Sequence, residues 1–415
     1  MTVCNLLGKG TLFVAILPKK PDKPFEIGIL LLFLLFQHAC IYMNEELRII
    51  ISGGGTGGHI FPAISIANAI CKLHPQAQIL FVGAEGRMEM QRVPAAGYEI
   101  KGLPICGFDR KNMLKNVKVL YKIARSRMLA RQIIKEFKPM AAVGVGGYAS
   151  GPTLSVAGAM GIPTILQEQN SYPGVTNKLL AKKASKICVA YEGLERFFPA
   201  DRIVLTGNPV RQSLLEAAVS RDEAVRGYGL NPLKRTVLIV GGSLGARTLN
   251  ESVLGNLVLI GQSGVQFIWQ TGSYYRETIQ RELEKRGKPD NLHVTDFIAS
   301  MEQAYAAADL VISRAGAGSI SEFCLLRKPV ILVPSPNVAE DHQTKNAMAL
   351  VQKEAALFVS DADAPRLLIP RAINTVQQPE QLAALSENIG KLAYKHSAEQ
   401  IAEEVCKLAM AYRDR

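Results

Sequence analysis

Two stretches of this chain share one local plan: a short apolar run, a glycine-rich turn, then a helix-forming segment. They read IIISGGGTGGH at 49–59 and VLIVGGSLGA at 237–246, and their first loop glycines, Gly53 and Gly241, lie 188 positions apart. That separation is far longer than a solenoid repeat of roughly 20–50 residues. A strand that enters a glycine turn and leaves as a helix opens a βαβ unit. Two such openings predict two Rossmann-like α/β domains in tandem.

The runs between them agree. LRIIIS (47–52), ILFVG (79–83), AAVGVG (141–146), TILQE (164–168) and KICVA (186–190) form one series. TVLIVGG (236–242), VQFIW (265–269), LHVTDF (292–297), LVISRAG (310–316) and PVILVP (329–334) form a second. Short, aliphatic and non-alternating, they read as parallel strands buried on both faces, with helices between them. TGNPVRQSL (206–214) carries Gly and Pro between the two series and is the expected connection. The expected domains are therefore 43–205 and 206–415. Ligands of open α/β sheets sit at the strands' carboxyl ends, so two such domains facing each other place one cleft between both sets of loops.

The composition excludes a disordered or fibrous chain, with 48% hydrophobic and 20% charged residues. Seven cysteines are scattered without a CxxC pair, which fits a reducing compartment and argues against a disulfide framework or structural zinc. The net charge of +12 is uneven: residues 206–415 hold 23 cations and 23 anions, whereas residues 101–138 hold 11 against two, or +9. One segment thus carries most of the excess, which points to a local anionic partner.

Residues 1–42 stand apart. IGILLLFLLF (27–36) follows Lys19, Lys20 and Lys23. It is too short for a bilayer core, which needs about 20 apolar residues. It resembles the apolar region of a signal peptide. The reading preferred here is upstream sequence outside the fold, with Met43 as the functional start, because a βα unit begins directly after it.

The first loop, GGGTGGH (53–59), holds G-x-G-x-x-G after a strand and before a helix. A dinucleotide site wants an acidic residue about 20 positions on, and Glu85 is a poor candidate. A P-loop is excluded because no GK[ST] follows. A tight turn without a ligand remains the plain alternative. His59 opens the helix at a strand's carboxyl end, where an imidazole can serve as a base near neutral pH; the plain alternative is a capping or packing histidine. GGYASGP (146–152) is a further loop, and QEQNSYPG (167–174) places Glu168, Gln169 and Asn170 directly after a strand. These suit a hydroxyl-rich ligand, with Glu168 a possible second carboxylate at the reaction centre.

In the second half, SRAGAGSISE (313–322) predicts a helix starting near Ser319, whose free N–H groups suit a diphosphate. Glu322 can accept from a vicinal diol such as ribose, or can form a capping box with Ser319. Gln343 and Asn346 share one helix face. The acidic triplet at 361–363 reads as a surface turn, and no metal or other cofactor is expected. The basic segment 108–138 has helical spacing, with Met113, Val117, Leu120 and Ala124 as one stripe. A basic amphipathic helix suits a membrane surface; an ordinary surface helix with its stripe in the core is the alternative. No aromatic stacking series accompanies the charge, so nucleic acid is not the expected partner.

Taken in order, GGGTGGHIFPA, VGVGGYASGP, QEQNSYPGVTNKLLA, TGNPVR, GGSLGA, SRAGAGSISE and DHQTKNA resemble the MurG family. These are bacterial N-acetylglucosaminyltransferases that convert lipid I to lipid II in peptidoglycan synthesis. The resemblance spans 44–410 and has no counterpart for 1–42. It implies a GT-B fold, a membrane-facing first domain, a UDP-GlcNAc site mainly in the second, and final helices that return to the first. It implies an inverting hexosyltransferase that moves GlcNAc to the C4 hydroxyl of undecaprenyl-linked MurNAc-pentapeptide, peripherally at the cytoplasmic face of the inner membrane.

Residue roles carry over by position. Thr56, Gly57 and Gly58 match the first loop and His59 the base. Asn170 matches a sugar-hydroxyl contact, Arg211 a contact near the uracil and Ser243 the phosphate-binding serine. Ile298 matches the residue whose backbone reads uracil. Ala317, Gly318, Ser319, Ile320 and Ser321 match the diphosphate helix start, Glu322 the ribose carboxylate, and Gln343 and Asn346 the GlcNAc contacts. Three other functions stay open on residues alone: transfer to another lipid such as diacylglycerol, a nicotinamide-dependent oxidoreductase, and a nucleotide-sugar sensor without turnover.

Overall fold

The structure is a computed structural model that describes residues 2–8, 11–17, 46–106, 116–211, 214 and 218–414. It contains two compact units, Met1–Glu46 and Leu47–Arg415. In the first, β1 (Thr2–Gly8) and β2 (Thr11–Leu17) form an antiparallel hairpin with Thr2 opposite Leu17 and Gly8 opposite Thr11. The sequence reading assigned no strand there. Its apolar run at 27–36 and Met43 lie outside the described residues.

The second unit holds two parallel sheets. Aliphatic runs covered on both faces form the strands, as the buried Ile49, Ile50 and Ile51 illustrate. The first sheet comprises β3 (Arg48–Ser52), β4 (Gln78–Ala84), β5 (Glu99–Leu103), β6 (Ala141–Gly144), β7 (Thr164–Glu168), β8 (Lys186–Val189) and β9 (Ile203–Leu205). Its order is β5-β4-β3-β6-β7-β8-β9. The second comprises β10 (Thr236–Val240), β11 (Gln266–Gln270), β12 (Leu292–Thr295), β13 (Leu310–Ser313), β14 (Val330–Leu332) and β15 (Leu357–Phe358). Its order is β12-β11-β10-β13-β14-β15. Each sheet starts centrally, winds outward, returns, and winds the other way, which is the doubly wound dinucleotide-fold order.

The order reverses between β3 and β6 in one sheet and between β10 and β13 in the other. Crevices open at such switch points. Four loops therefore gather at the two crevices: 53–56 and 145–149 on the first sheet, 241–246 and 314–316 on the second. The last helix, Ser397–Arg413, packs on the helix Gly57–Leu73. Its buried Ile401, Ala402, Val405 and Ala409 join Ile60, Ile66 and Ile70 in one core. The end of the chain thus completes the first sheet's packing.

The basic segment's helix spans Asn116–Phe137. Val119, Ala130 and Ile134 face the core, whereas Leu120 is 59% exposed and Ala124 is also exposed. Of the anticipated stripe, Leu120 and Ala124 thus face outward. With Tyr121 and Met128, each 67% exposed, these two form an apolar line beside the exposed Lys122, Arg125 and Arg131. Met113, Lys111 and Lys115 lie outside the described residues.

Candidate functional site

The loop after β3 is built so that backbones nearly touch. Gly54 has φ +149° and Gly147 has φ +87°, and a Cβ on Gly147 would collide with the Gly54 backbone. Thr56 is the N-cap of the helix Gly57–Leu73 without bonding its side chain to the helix start, and Thr56 and Gly58 are exposed. His59, two residues into that helix, is half-buried. Its Nδ1 lies 3.0 Å from the Gly54 carbonyl oxygen and 3.3 Å from Thr56 Oγ1. A carbonyl can only accept, so Nδ1 carries the hydrogen and Nε2 keeps its lone pair. Burial lowers the His59 pKa below the ordinary histidine value; the Gly54 carbonyl and Glu89 oppose that shift, and His342 adds to it. The ring is thus held neutral with a proton-accepting nitrogen, as a base requires.

Glu168, the second carboxylate considered for the reaction centre, lies at the end of β7. It is buried, and its Oε1 accepts from Asn170 N at 3.0 Å and Asn170 Nδ2 at 3.1 Å. Oε2 accepts from Asn177 Nδ2 at 2.8 Å and Gly174 N at 3.2 Å. Burial raises its pKa against the pull of these bonds. Both oxygens are occupied, so the group shapes the loop that presents Asn170.

That loop meets the second sheet's helices directly. Asn346, fully buried, accepts from Ser171 N at 2.9 Å and Ser171 Oγ at 3.0 Å, and donates to Asn170 Oδ1 at 3.1 Å. Gln343, one turn earlier, accepts from Ser335 N at 2.8 Å. The two residues share a helix, but one orders its own domain's loop while the other clasps the opposite domain. Asn208, in the connection, adds a bridge: it donates to Gln169 O at 3.0 Å and Ser321 Oγ at 3.1 Å.

The helix expected near Ser319 starts two residues earlier, as Ala317–Leu325 with Gly316 at its N-cap. It has no side-chain cap and no acidic residue in its first turn. Its first N–H groups, at Ala317, Gly318 and Ser319, therefore have neither an intrahelical acceptor nor a capping side chain, and this favours an anion. The capping-box reading of Glu322 fails. Its carboxylate instead accepts from Arg211 Nη2 at 3.1 Å and Tyr305 OH at 2.8 Å. Burial first, then Glu322, pushes the Tyr305 hydroxyl well above its ordinary pKa, so it remains a donor. The Arg211 guanidinium also lies 5.4 Å from the Phe61 ring on the His59 helix. Ser243 is exposed on the loop after β10, where its carbonyl accepts from Ser273 N at 3.1 Å. Ile298 is buried after β12.

Two functional-looking residues carried no sequence signal. Tyr305 sits on the helix Met301–Ala307 and reaches Glu322 only through tertiary packing. Glu89 accepts from Gly55 N at 2.9 Å and Ala84 N at 3.0 Å. A carboxylate already bound to a first-loop amide repels a pyrophosphate there, which weighs against the nicotinamide reading. The acidic triplet is also more than a surface turn, because Asp361 pairs with Arg314 and accepts from Thr248 Oγ1 at 2.9 Å.

Comparison with known proteins gives the family. The Glycosyltransferase family 28 N-terminal domain matches residues 49–189, and the Glycosyltransferase family 28 C-terminal domain matches residues 236–405. A relative from Phocaeicola vulgatus is 69% identical over 371 residues, covering 89% of this chain and 99% of its own length. One from Bacteroides fragilis is 66% identical over 367 residues, covering 88% and 97%. Both are named UDP-N-acetylglucosamine–N-acetylmuramyl-(pentapeptide) pyrophosphoryl-undecaprenol N-acetylglucosamine transferase. The crystal structure of Acinetobacter baumannii MurG superposes with a TM-score of 0.69 at 27% identity, covering 87% of this chain and 99% of that one. The chain belongs to glycosyltransferase family 28, among the MurG N-acetylglucosaminyltransferases.

Proposed function

We propose that the chain transfers N-acetylglucosamine from UDP-GlcNAc to the C4 hydroxyl of lipid I, the MurNAc-pentapeptide carried on undecaprenyl diphosphate. The product is lipid II, so the enzyme serves peptidoglycan synthesis and through it cell shape and division. The observation that carries the reading is one unit holding both a neutral imidazole with a free Nε2 and, on the other sheet, an uncapped helix start. The relatives' names specify a lipid-linked muramyl pentapeptide, not a diacylglycerol.

In this scheme residues 43–205 receive the acceptor and residues 206–415 the donor. His59 Nε2 takes the C4 hydroxyl proton as that oxygen attacks the anomeric carbon. UDP leaves toward the amides at Ala317–Ser319 and the Ser243 hydroxyl, which meet the developing charge. The single displacement inverts the α-linked donor to a β-1,4 glycoside. Glu322 receives the ribose diol, Arg211 and the Ile298 backbone flank the uracil, and Asn170, Gln343 and Asn346 contact the sugar. Asn170 and Asn346 bond to each other here, so sugar binding exchanges that bond for hydroxyl contacts. The direct test is turnover of UDP-GlcNAc with a lipid I analogue. UDP and a β-linked disaccharide should appear in equal amounts, and activity should survive EDTA because amides hold the leaving group. UDP release without disaccharide contradicts the reading, and loss on chelation restored by Mg²⁺ contradicts the leaving-group scheme.

No helix among the described residues is long and apolar enough to cross a membrane. The outward stripe of Leu120, Tyr121, Ala124 and Met128, flanked by Lys122, Arg125 and Arg131, supports peripheral attachment to an anionic surface at the cytoplasmic face of the inner membrane. Each such cation is worth about 1 kcal/mol near that surface, within a Debye length of about 8 Å. Reversing Lys122, Arg125 and Arg131 to Glu should remove the salt-sensitive binding to anionic vesicles while sparing turnover of a soluble acceptor. Equal sedimentation of parent and variant at low salt would make the helix a solvated face.

A further inference from the structure

Glu89 belongs to no glycine loop, yet it is 1% exposed and lies beneath the first one. Two glycines make room for it: a Cβ on Gly54 or on Gly83 would run into its side chain. Its Oε1 accepts from Ala84 N, at the end of β4, and its Oε2 accepts from Gly55 N, in the loop after β3. It thereby ties two neighbouring strand ends together.

The bond to Gly55 has a second consequence. The Gly55 N–H and the Gly54 carbonyl belong to one peptide group, which is planar. Holding the N–H on one side aims the carbonyl on the other, and that carbonyl is the acceptor for His59 Nδ1. A carboxylate on the N–H also polarises the same peptide, which strengthens the carbonyl as an acceptor. We propose that Glu89 is a positioning residue for the base: it orients the Gly54–Gly55 peptide so that His59 is held as the Nδ1–H tautomer with Nε2 free. The catalytic part of this inference rests on His59 being the base; the structural part does not.

The groups acting on His59 have defined signs. Burial lowers its proton affinity most. The Gly54 carbonyl raises it, His342 from the helix His342–Val351 lowers it, and the Glu89 charge raises it. Thr56 Oγ1 and the Gly146 backbone also lie against the ring. Both actions of Glu89, its charge and its hold on the carbonyl, therefore raise the His59 pKa. Removing them moves that pKa down.

Glu89→Gln keeps the shape but replaces one oxygen by an NH₂ group, so one of the two backbone N–H groups loses its acceptor. The full chain, labelled with ¹⁵N-histidine, reports the tautomer directly, and His59→Gln identifies the signal. The parent should show a neutral His59 protonated at Nδ1. Glu89→Gln should show mixed tautomers and a lower His59 pKa. In turnover, kcat should fall about tenfold to a hundredfold, the scale of a lost charged hydrogen bond. The acid limb of its pH profile should move to lower pH, with the KM for UDP-GlcNAc unchanged. The double variant Glu89→Gln/His59→Ala should be no slower than His59→Ala alone. If Glu89→Gln does not fold, Glu89→Asp keeps the charge but is too short to reach both amides; it should still mix the tautomers. An unchanged His59 tautomer and pKa in a folded Glu89 variant would overturn the proposal, as would additive losses in the double variant. Near-normal kcat in His59→Ala would instead remove the base assignment, and the tautomer result would still decide what Glu89 does to the ring.

Discussion

Replacing His59 by alanine should lower kcat by about 10²–10⁴, the usual contribution of a general base, and should leave UDP affinity intact. In the proposed scheme His59 touches the acceptor hydroxyl and none of the uridine or diphosphate contacts, so the loss should appear in kcat and not in the KM for UDP-GlcNAc. The pH profile sharpens the test. The active form is the neutral ring, so kcat falls as pH drops through the His59 pKa. Burial lowers that pKa, which places the acid limb below the ordinary histidine value of about 6.5. Between that limb and neutrality the enzyme should be fully active, where an exposed histidine would already be partly protonated. A near-normal kcat in His59→Ala would remove the residue from the base role. Glu168 would be a weak substitute, because four donors already occupy its oxygens.

The second large effect concerns the donor. Glu322→Ala should raise the Kd for UDP about tenfold to a hundredfold, since a charged hydrogen-bond partner contributes about 1.5–3 kcal/mol. The side chain is only 13% exposed and holds both Arg211 and Tyr305. Alanine therefore orphans the buried Tyr305 hydroxyl and the part-exposed Arg211 as well, and some loss of Tm should accompany the loss of affinity. Tyr305→Phe separates the two effects: it removes one support and leaves the carboxylate for the ribose, so UDP binding should weaken only modestly. Calorimetry that finds unchanged UDP affinity in a folded Glu322→Ala protein would make Glu322 an anchor for Arg211 alone.

Much of the architecture was legible because parallel strands covered on both faces must be continuously apolar. The ten runs read from the sequence all correspond to strands. The strands that escaped notice in the second unit are β5, β9 and β15, and each lies at a sheet edge. An edge strand pairs on one side only and need not be apolar throughout: β5 reads EIKGL, β9 has three residues and β15 two. The hairpin of β1 and β2 was missed for another reason, since the first 42 residues were set aside as lying outside the fold.

The site divides the same way. Glycine loops at strand ends, a histidine opening a helix, and an uncapped helix start are local features, because a turn's backbone geometry and a helix's unpaired amides arise within a few residues. The sequence by itself therefore determined two doubly wound domains, the glycine loops at the strand ends, and the place of His59 at a helix start beside one of them. What each polar side chain does there was decided by tertiary structure alone. Glu168 became a scaffold, Asn346 a clasp to Ser171, and Glu322 the partner of Arg211 and Tyr305. Glu89 came to hold the peptide that orients His59. The physical reason is reach: a carboxylate or amide bonds whatever donor lies about 3 Å away, and which donor that is depends on strand order and on how two domains meet. Neither is written in the spacing of neighbouring residues.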